Sequence, residues 1–143
     1  MGFGGTATER LASAGYVRVL DAERIAICSN GSTEVIEWND VIMARSAKNY
    51  TSIITARGTF TVRKPLQVVI DTLAGLGFVQ IHRRVAVNEA RVRRLIRSGR
   101  RRLVVELDGD LCLEAGRQFQ RSVRTRFGAE RLVQSSGIDE SVL

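Results

Sequence analysis

The amino-acid sequence predicts a mostly β fold with one or two helices packed against the sheets. Short runs of alternating or β-branched residues recur along the chain, separated by Gly, Asn and Asp at turn positions. Only two segments of the folded part have the apolar spacing of a clear helix. Two helices are too few to alternate with the strands, so antiparallel sheets are expected rather than βαβ units.

One folded domain is predicted over residues 23–128. The 143 residues, 44% of them hydrophobic, suffice for a single core. Residues 1–22 are predicted to be an N-terminal extension, in which 8–14 could form a short helix capped by Thr6 or Thr8. Residues 129–143 are predicted to be a tail, with Leu132 and Val133 as candidates for packing.

The first half of the domain is predicted to contain four strands and a basic loop. The strands are 24–29, 34–38, 50–56 and 59–63. Asn30-Gly31 is a turn signal after the first strand, and Arg57-Gly58 joins the last two into a hairpin. Between them, a short apolar run at 41–44 leads into a basic polar loop at 45–49.

The second half opens with the clearest helix, which begins at Pro65, because proline loses nothing in the first helical turn. Apolar residues follow at helical spacing and two glycines end the helix: Leu66, Val69, Ile70, Leu73, Gly75 and Gly77. A strand at 78–83 and a turn or short extended piece at 85–88 come next. A meander of three strands is predicted at 91–97, 102–108 and 110–114, before a helix within 117–127. This gives eight or nine strands in all.

No metal, cofactor or membrane span is expected. The chain has one histidine and two cysteines without CxxC spacing, which is too few ligands for zinc. Cys28 and Cys112 lie in apolar runs and are predicted to be buried, reduced thiols. There is neither a secretory signal nor an apolar run of ~20 residues, so the cytoplasm is the expected location.

The charge is uneven and dominated by arginine. Lys plus Arg number 22 against 15 Asp plus Glu, and only Lys48 and Lys64 are lysines. Residues 83–131 contain 14 basic and 6 acidic side chains, whereas residues 1–82 contain 8 and 7. A guanidinium donates in a fork that fits phosphate and guanine. A basic half beside a neutral half therefore indicates a polyanionic partner.

The most informative segment is 78–88, FVQIHRRVAVN. Its alternating strand runs into His82, Arg83 and Arg84. Such a strand end delivers charge and hydrogen-bond donors to one point on a rigid frame, which suits contacts to phosphates and base edges.

Together with the stretches 36–50, 60–73 and 103–127, this segment resembles the LytTR domain, the DNA-binding part of LytR/AlgR-type bacterial regulators. The resemblance spans about residues 23–128. It implies an elongated arrangement of small antiparallel sheets with a packed helix, and loops that enter two successive major grooves of duplex DNA. It also implies dimers on paired direct repeats and a role in transcription, commonly as the effector domain of a response regulator.

The sequence departs from the family pattern at several positions. Arg84 replaces a usual serine, Val85 an aromatic residue and Gln80 a common arginine. Most relatives have a receiver domain upstream, and about 22 residues are too few for one. The chain is thus expected to be a stand-alone regulator or an excised fragment.

Two loops supply the first candidate DNA contacts. In 46–50, Lys48 is placed for a phosphate, and Asn49 and Tyr50 for base edges; the alternative is a solvated turn with Tyr50 half packed. In the second loop, the resemblance gives Arg83 a direct DNA contact, and Arg84 is expected at a phosphate.

Two side chains of the second loop have structural alternatives. His82 is expected to bond neighbouring backbone and fix the loop, or to donate to a phosphate. Asn88 is expected to brace the following turn.

The third loop is 115–117. Gly116 is expected to allow a sharp turn or a close approach to DNA. Arg117 is the expected chief reader of guanine, and Gln118 and Arg121 are expected at the DNA backbone. A second basic group is expected either to bind phosphate or to form a solvated edge that resists strand pairing. It consists of Arg91, Arg93, Arg94, Arg97 and residues 100–102.

Two other functions remain open. A single-stranded nucleic acid or RNA-binding β module needs stacking aromatics, and only 6% of residues are aromatic. A partner-binding antagonist or co-regulator is compatible with DNA binding. An enzyme is not expected, because no nucleophile motif, carboxylate pair or phosphate-binding loop is present.

Overall fold

Twelve strands and two α-helices make up the part of the chain that the computed structural model describes, residues 15–128 and 132–134. The strands are β1 (Tyr16–Val19), β2 (Arg24–Ser29), β3 (Ser32–Glu37), β4 (Val41–Ala47), β5 (Tyr50–Thr55), β6 (Gly58–Val62), β7 (Phe78–His82), β8 (Val85–Asn88), β9 (Val92–Ser98), β10 (Arg102–Leu107), β11 (Leu111–Glu114) and β12 (Leu132–Gln134). The helices are α1 (Leu66–Leu73) and α2 (Gln120–Phe127). The mostly β prediction is confirmed.

The strands form three small sheets. The central sheet has the order β6-β5-β4-β8-β7; the others are β1-β2-β3 and β11-β10-β9-β12. Successive side chains of a strand point to opposite faces. Ala44 accordingly joins a core with α1 and β2, while Met43 joins a second core with β9, β10 and α2. The central sheet is therefore covered on both faces.

Helix α1 follows the sequence prediction. Pro65 precedes it in an extended conformation, and Leu66, Val69, Ile70 and Leu73 are its buried face. A 3-10 turn, Ala74–Leu76, follows, and Gly77 reverses the chain with φ +96°. Only glycine adopts that left-handed backbone readily.

One local prediction needs correction, and one open alternative is decided. The expected loop at 45–49 is mostly strand, because β4 continues to Ala47 opposite Tyr50 and leaves a two-residue turn. Segment 85–88, expected to be a turn or a short extended piece, is the extended strand β8, paired with both β4 and β7. Its side chains pack into cores on both faces, which removes the polar alternation that marks a half-buried strand.

Strands β1 and β12 were not predicted. β1 lies within the predicted N-terminal extension and pairs with β2. β12 lies within the predicted tail and pairs with β9 in parallel, the exception to an otherwise antiparallel arrangement among the described residues. The helix predicted over 8–14 lies outside the described residues. The domain boundaries at 23 and 128 stay predictions.

The two cysteines differ in exposure. Cys28 is buried in β2, as predicted, but Cys112 is exposed. The second prediction was wrong because β11 is an edge strand, and its apolar neighbour Leu111 is exposed too. Among the described residues no cluster could hold a metal ion, and none of the helices is long and apolar enough to span a bilayer.

Candidate nucleic-acid interface

The first predicted loop is the tight turn between β4 and β5. Ala47 pairs with Tyr50, so Lys48 and Asn49 form the tip, and both are exposed. Lys48 has φ +54°, a left-handed backbone conformation that residues other than glycine rarely adopt. Tyr50 is 38% exposed. The hydroxyl of Tyr50 accepts a hydrogen bond from Nη2 of Arg63 at 3.1 Å.

The second predicted loop, between β7 and β8, lies directly beside the first. The N–H of Ser46 donates to the carbonyl of Arg84 at 2.9 Å. Nδ1 of His82 accepts from the N–H of Arg84 at 3.1 Å. His82 therefore braces this turn, as expected, and a neutral ring that accepts at Nδ1 has its proton on Nε2. Arg83 and Arg84 are exposed.

The third predicted loop is attached to the second. The N–H of Gly116 donates to the carbonyl of Ile81 at 2.7 Å, at the end of β7. Arg117 follows in a 3-10 turn, Arg117–Phe119, that leads into α2. Arg117 and Gln118 line one groove together with His82 and Arg83.

The sharp turn expected as one of two roles for Gly116 is not observed. Its φ of −63° is open to any residue, so no sharp turn requires glycine. A Cβ there would lie 3.3 Å from Cδ2 of Phe119 and 3.4 Å from Cδ2 of His82. A side chain here would crowd Phe119 and His82, because the loop packs closely against the end of β7.

A fourth basic turn joins the row, and the sequence analysis had left its role open. It connects β9 to β10 and contains Arg101. The side-chain amide of Gln120 donates to the carbonyl of Arg101 at 2.7 Å. A groove of about 380 Å³ is lined by His82, Arg101, Arg102 and Arg117, among others. The four turns are thus contiguous.

Arginines at the opposite ends of these hairpins are paired with carboxylates. The pairs are Arg57–Asp40 at 3.8 Å, Arg91–Asp108 at 3.6 Å, Arg93–Asp110 at 3.9 Å and the cross-strand pair Arg94–Glu106. Arg91, Arg93 and Arg94 of the second basic group therefore already have partners.

With one exception, the basic side chains of the four turns have no carboxylate partner among the described residues. Within residues 15–128 and 132–134, no carboxylate lies within 4.0 Å of the following basic groups: Lys48, Arg83, Arg84, Arg101 and Arg117. The exception is Arg102, 3.5 Å from Glu114. Positive charge is therefore uncompensated along the row of turns.

Two other predicted residues have distinct surroundings. Asn88 is buried, and its Nδ2 donates to the carbonyls of Trp38 and Val41 at 2.9 and 2.8 Å. Its Oδ1 accepts from the N–H of Ala90, so the predicted bracing of the following turn is confirmed. Arg121 does not join the Arg117 groove and instead lines a separate apolar groove with Phe78.

Arg63 is the residue that the sequence analysis missed. The sequence signal for it was partial. Arg57-Gly58 indicated a hairpin, but the observed turn is Ala56-Arg57, with Thr55 paired to Gly58, and only this register places Tyr50 opposite Arg63, one step beyond the pair Thr51 and Val62.

Comparisons with known proteins agree with this architecture. The family model described as the LytTr DNA-binding domain matches residues 31–128. A solved LytTr DNA-binding domain from Bacillus cereus superposes with a TM-score of 0.65 at 14% identity, covering 75% of this chain and 98% of that one. None of the curated proteins matches the sequence.

The fold is therefore that of a mostly antiparallel β domain with short packed helices, the same fold as the solved LytTr domain. The family match covers well over half of the sequence, and the chain belongs to the LytTR family of DNA-binding domains.

Proposed function

We propose that this chain binds duplex DNA in a sequence-specific manner and regulates transcription, as a dimer on paired direct repeats. The observation that carries the proposal is the row of four contiguous turns with uncompensated cations, at the hairpin ends opposite those of the paired arginines. Contacts to phosphates supply affinity and register, and contacts to base edges supply specificity. Both kinds of donor are present along this row.

The turns divide this work between them. Lys48 and Arg84 contact phosphates, and Nε2–H of His82 donates to a third phosphate because Nδ1 is already engaged. Asn49 and Tyr50 reach base edges in one major groove, and Arg117 forks onto guanine in the next. Arg83 reads the groove between them, whose negative potential attracts a guanidinium.

Residues of the neighbouring elements extend the backbone contacts. Gln118 shares the groove of Arg117, and Arg101 stands beside it in the fourth turn. Arg121, the second residue of α2, contacts the DNA backbone at the margin of the site. A protein partner that modulates binding is compatible with this arrangement.

Selection of bound duplexes from a random pool, combined with salt titration, tests the proposal. Arg117→Gln should weaken binding by ~1–3 kcal/mol and relax the preference at one base. Arg93→Gln is the matched control, because it removes the same charge from a residue paired with Asp110. Affinity should fall by ~0.9 log units per phosphate contact per log unit of salt. A flat salt response, or poly(U) competing as well as duplex, would refute duplex recognition.

A further inference from the structure

Arg63 lies beside the first turn and differs from the cations of the four turns, because an aromatic side chain, that of Tyr50, contacts it. Nη2 of Arg63 donates to Oη of Tyr50 at 3.1 Å, and its Cζ lies 5.3 Å from the centroid of the Tyr50 ring. Within the described ranges no carboxylate lies within 4.0 Å of Arg63. The phenol of Tyr50 is therefore the side-chain partner of this guanidinium.

The position of the pair in the sheet explains this contact. The last registered pair of β5 and β6 is Thr51 opposite Val62, and both are fully buried. Tyr50 and Arg63 are the next residues at the open end of the ladder, where strand alternation turns both to the other face. The pair thus stands beside the tip that carries Lys48 and Asn49.

The hydrogen bond has a fixed polarity. A guanidinium has only donors and keeps its proton at any physiological pH. The Tyr50 oxygen must accept from Arg63, and its own hydrogen is left to point away from Arg63. A phenol that is 38% exposed therefore offers outside ligands a hydrogen-bond donor.

We propose that Arg63 is a positioning residue that makes Tyr50 a reader of hydrogen-bond acceptors. This inference rests on the proposed function and adds the chemical preference of the first turn. Purine N7, guanine O6 and thymine O4 are acceptors in the major groove, whereas cytosine presents only its amino donor. The base that faces Tyr50 is thus any base except cytosine.

The geometry requires arginine at position 63. The planar guanidinium lies near the ring and donates to the hydroxyl at the same time. Lysine has a compact ammonium that keeps the charge but not this double contact. Arg63→Lys therefore separates positioning from charge.

Selection from a random pool with the full chain tests the inference. Tyr50→Phe and Arg63→Lys should both admit cytosine at the same single position, with a loss of discrimination of about two- to tenfold. The double variant should lose no more than either single variant, because the two residues act through one hydrogen bond. Arg63→Lys should keep the wild-type salt slope and thermal midpoint.

Arg57→Lys is the matched control, since Arg57 lies at the opposite end of the same hairpin. It should leave every base preference unchanged. If Arg63→Lys selects the same sequences as wild type while Tyr50→Phe does not, Arg63 is not the positioning residue. If wild type prefers cytosine opposite Tyr50, the donor assignment is wrong. If wild type selects no duplex at all, the proposed function itself fails.

Discussion

Replacing Gly116 with alanine separates the geometry of the site from the stability of the fold. The backbone at Gly116 (φ −63°, ψ 147°) suits alanine, so the substitution introduces no backbone strain. Restricting the unfolded chain contributes ~0.4–1 kcal/mol of stability where the native conformation is compatible. The added methyl group works against this gain.

That methyl group would lie 3.3 Å from Phe119 Cδ2, 3.4 Å from His82 Cδ2 and 3.5 Å from His82 Cα. Overpacking typically costs ~1–3 kcal/mol, and these contacts need shifts of only a few tenths of an ångström, so the low end applies. The net change in unfolding free energy should be less than ~1 kcal/mol. The adjustment, however, falls on the ring that braces Arg84 and on the loop that carries Arg117.

We therefore expect Gly116→Ala to lower DNA affinity about tenfold, because a misplaced bidentate arginine forfeits ~1–3 kcal/mol. Denaturant unfolding and a fluorescence titration against a selected duplex measure the two effects. Gly75→Ala is the matched control: its Cβ would meet nothing within 4 Å, and it should leave binding unchanged. Wild-type affinity in Gly116→Ala, or a loss of stability as large as the loss of binding, would refute the role given to this glycine.

Two further substitutions test the turn tip and the buried brace. Lys48→Gly removes a charge at a residue whose φ of +54° glycine adopts without strain. The salt dependence of DNA affinity should therefore fall by ~1 log unit per log unit of salt, without loss of stability. Asn30→Gly, at φ 53° in the turn between β2 and β3, is the control and should leave this salt dependence unchanged. Asn88→Ala removes the side-chain donor to the carbonyls of Trp38 and Val41 and the acceptor for the N–H of Ala90, although the Trp38 carbonyl keeps its bond from the N–H of Val41. It should cost ~1–3 kcal/mol in urea unfolding, and an unchanged midpoint would contradict the bracing role.

Local sequence patterns predicted those elements whose signals are local. Asn30-Gly31 is a turn, the chain reverses within one residue of Arg57-Gly58, and Pro65 precedes α1, because turn and cap preferences depend on a few adjacent residues. Segment 85–88 could be a turn or an extended piece on sequence alone, because its pairing with β4, which is distant in sequence, decides that it is strand β8. The same limit hid β12, whose partner β9 lies far upstream.

In the candidate site, too, the sequence predicted what depends on neighbouring residues and missed what depends on contacts between distant segments. The three predicted loops lie side by side, joined by hydrogen bonds from Ser46 to Arg84 and from Gly116 to Ile81. The fourth turn could not be ranked from sequence, because only the bond from Gln120 to Arg101 places it beside Arg117. The partners of Arg91 and Arg93 likewise required the register of the β9–β10–β11 meander.

The distribution of ion pairs is better explained by recognition than by stability. Exposed pairs such as Arg57–Asp40 and Arg93–Asp110 each contribute only ~0–1 kcal/mol, so the fold does not depend on them. Their effect on the electric field around the protein is larger, because they neutralise positive charge at the hairpin ends opposite the four turns. Lys48, Arg83, Arg84, Arg101 and Arg117, by contrast, have no carboxylate within 4.0 Å among the described residues, so the turns keep their positive charge. A polyanion approaching from any side is then drawn to that edge, which raises the association rate and favours productive orientations before any base is read.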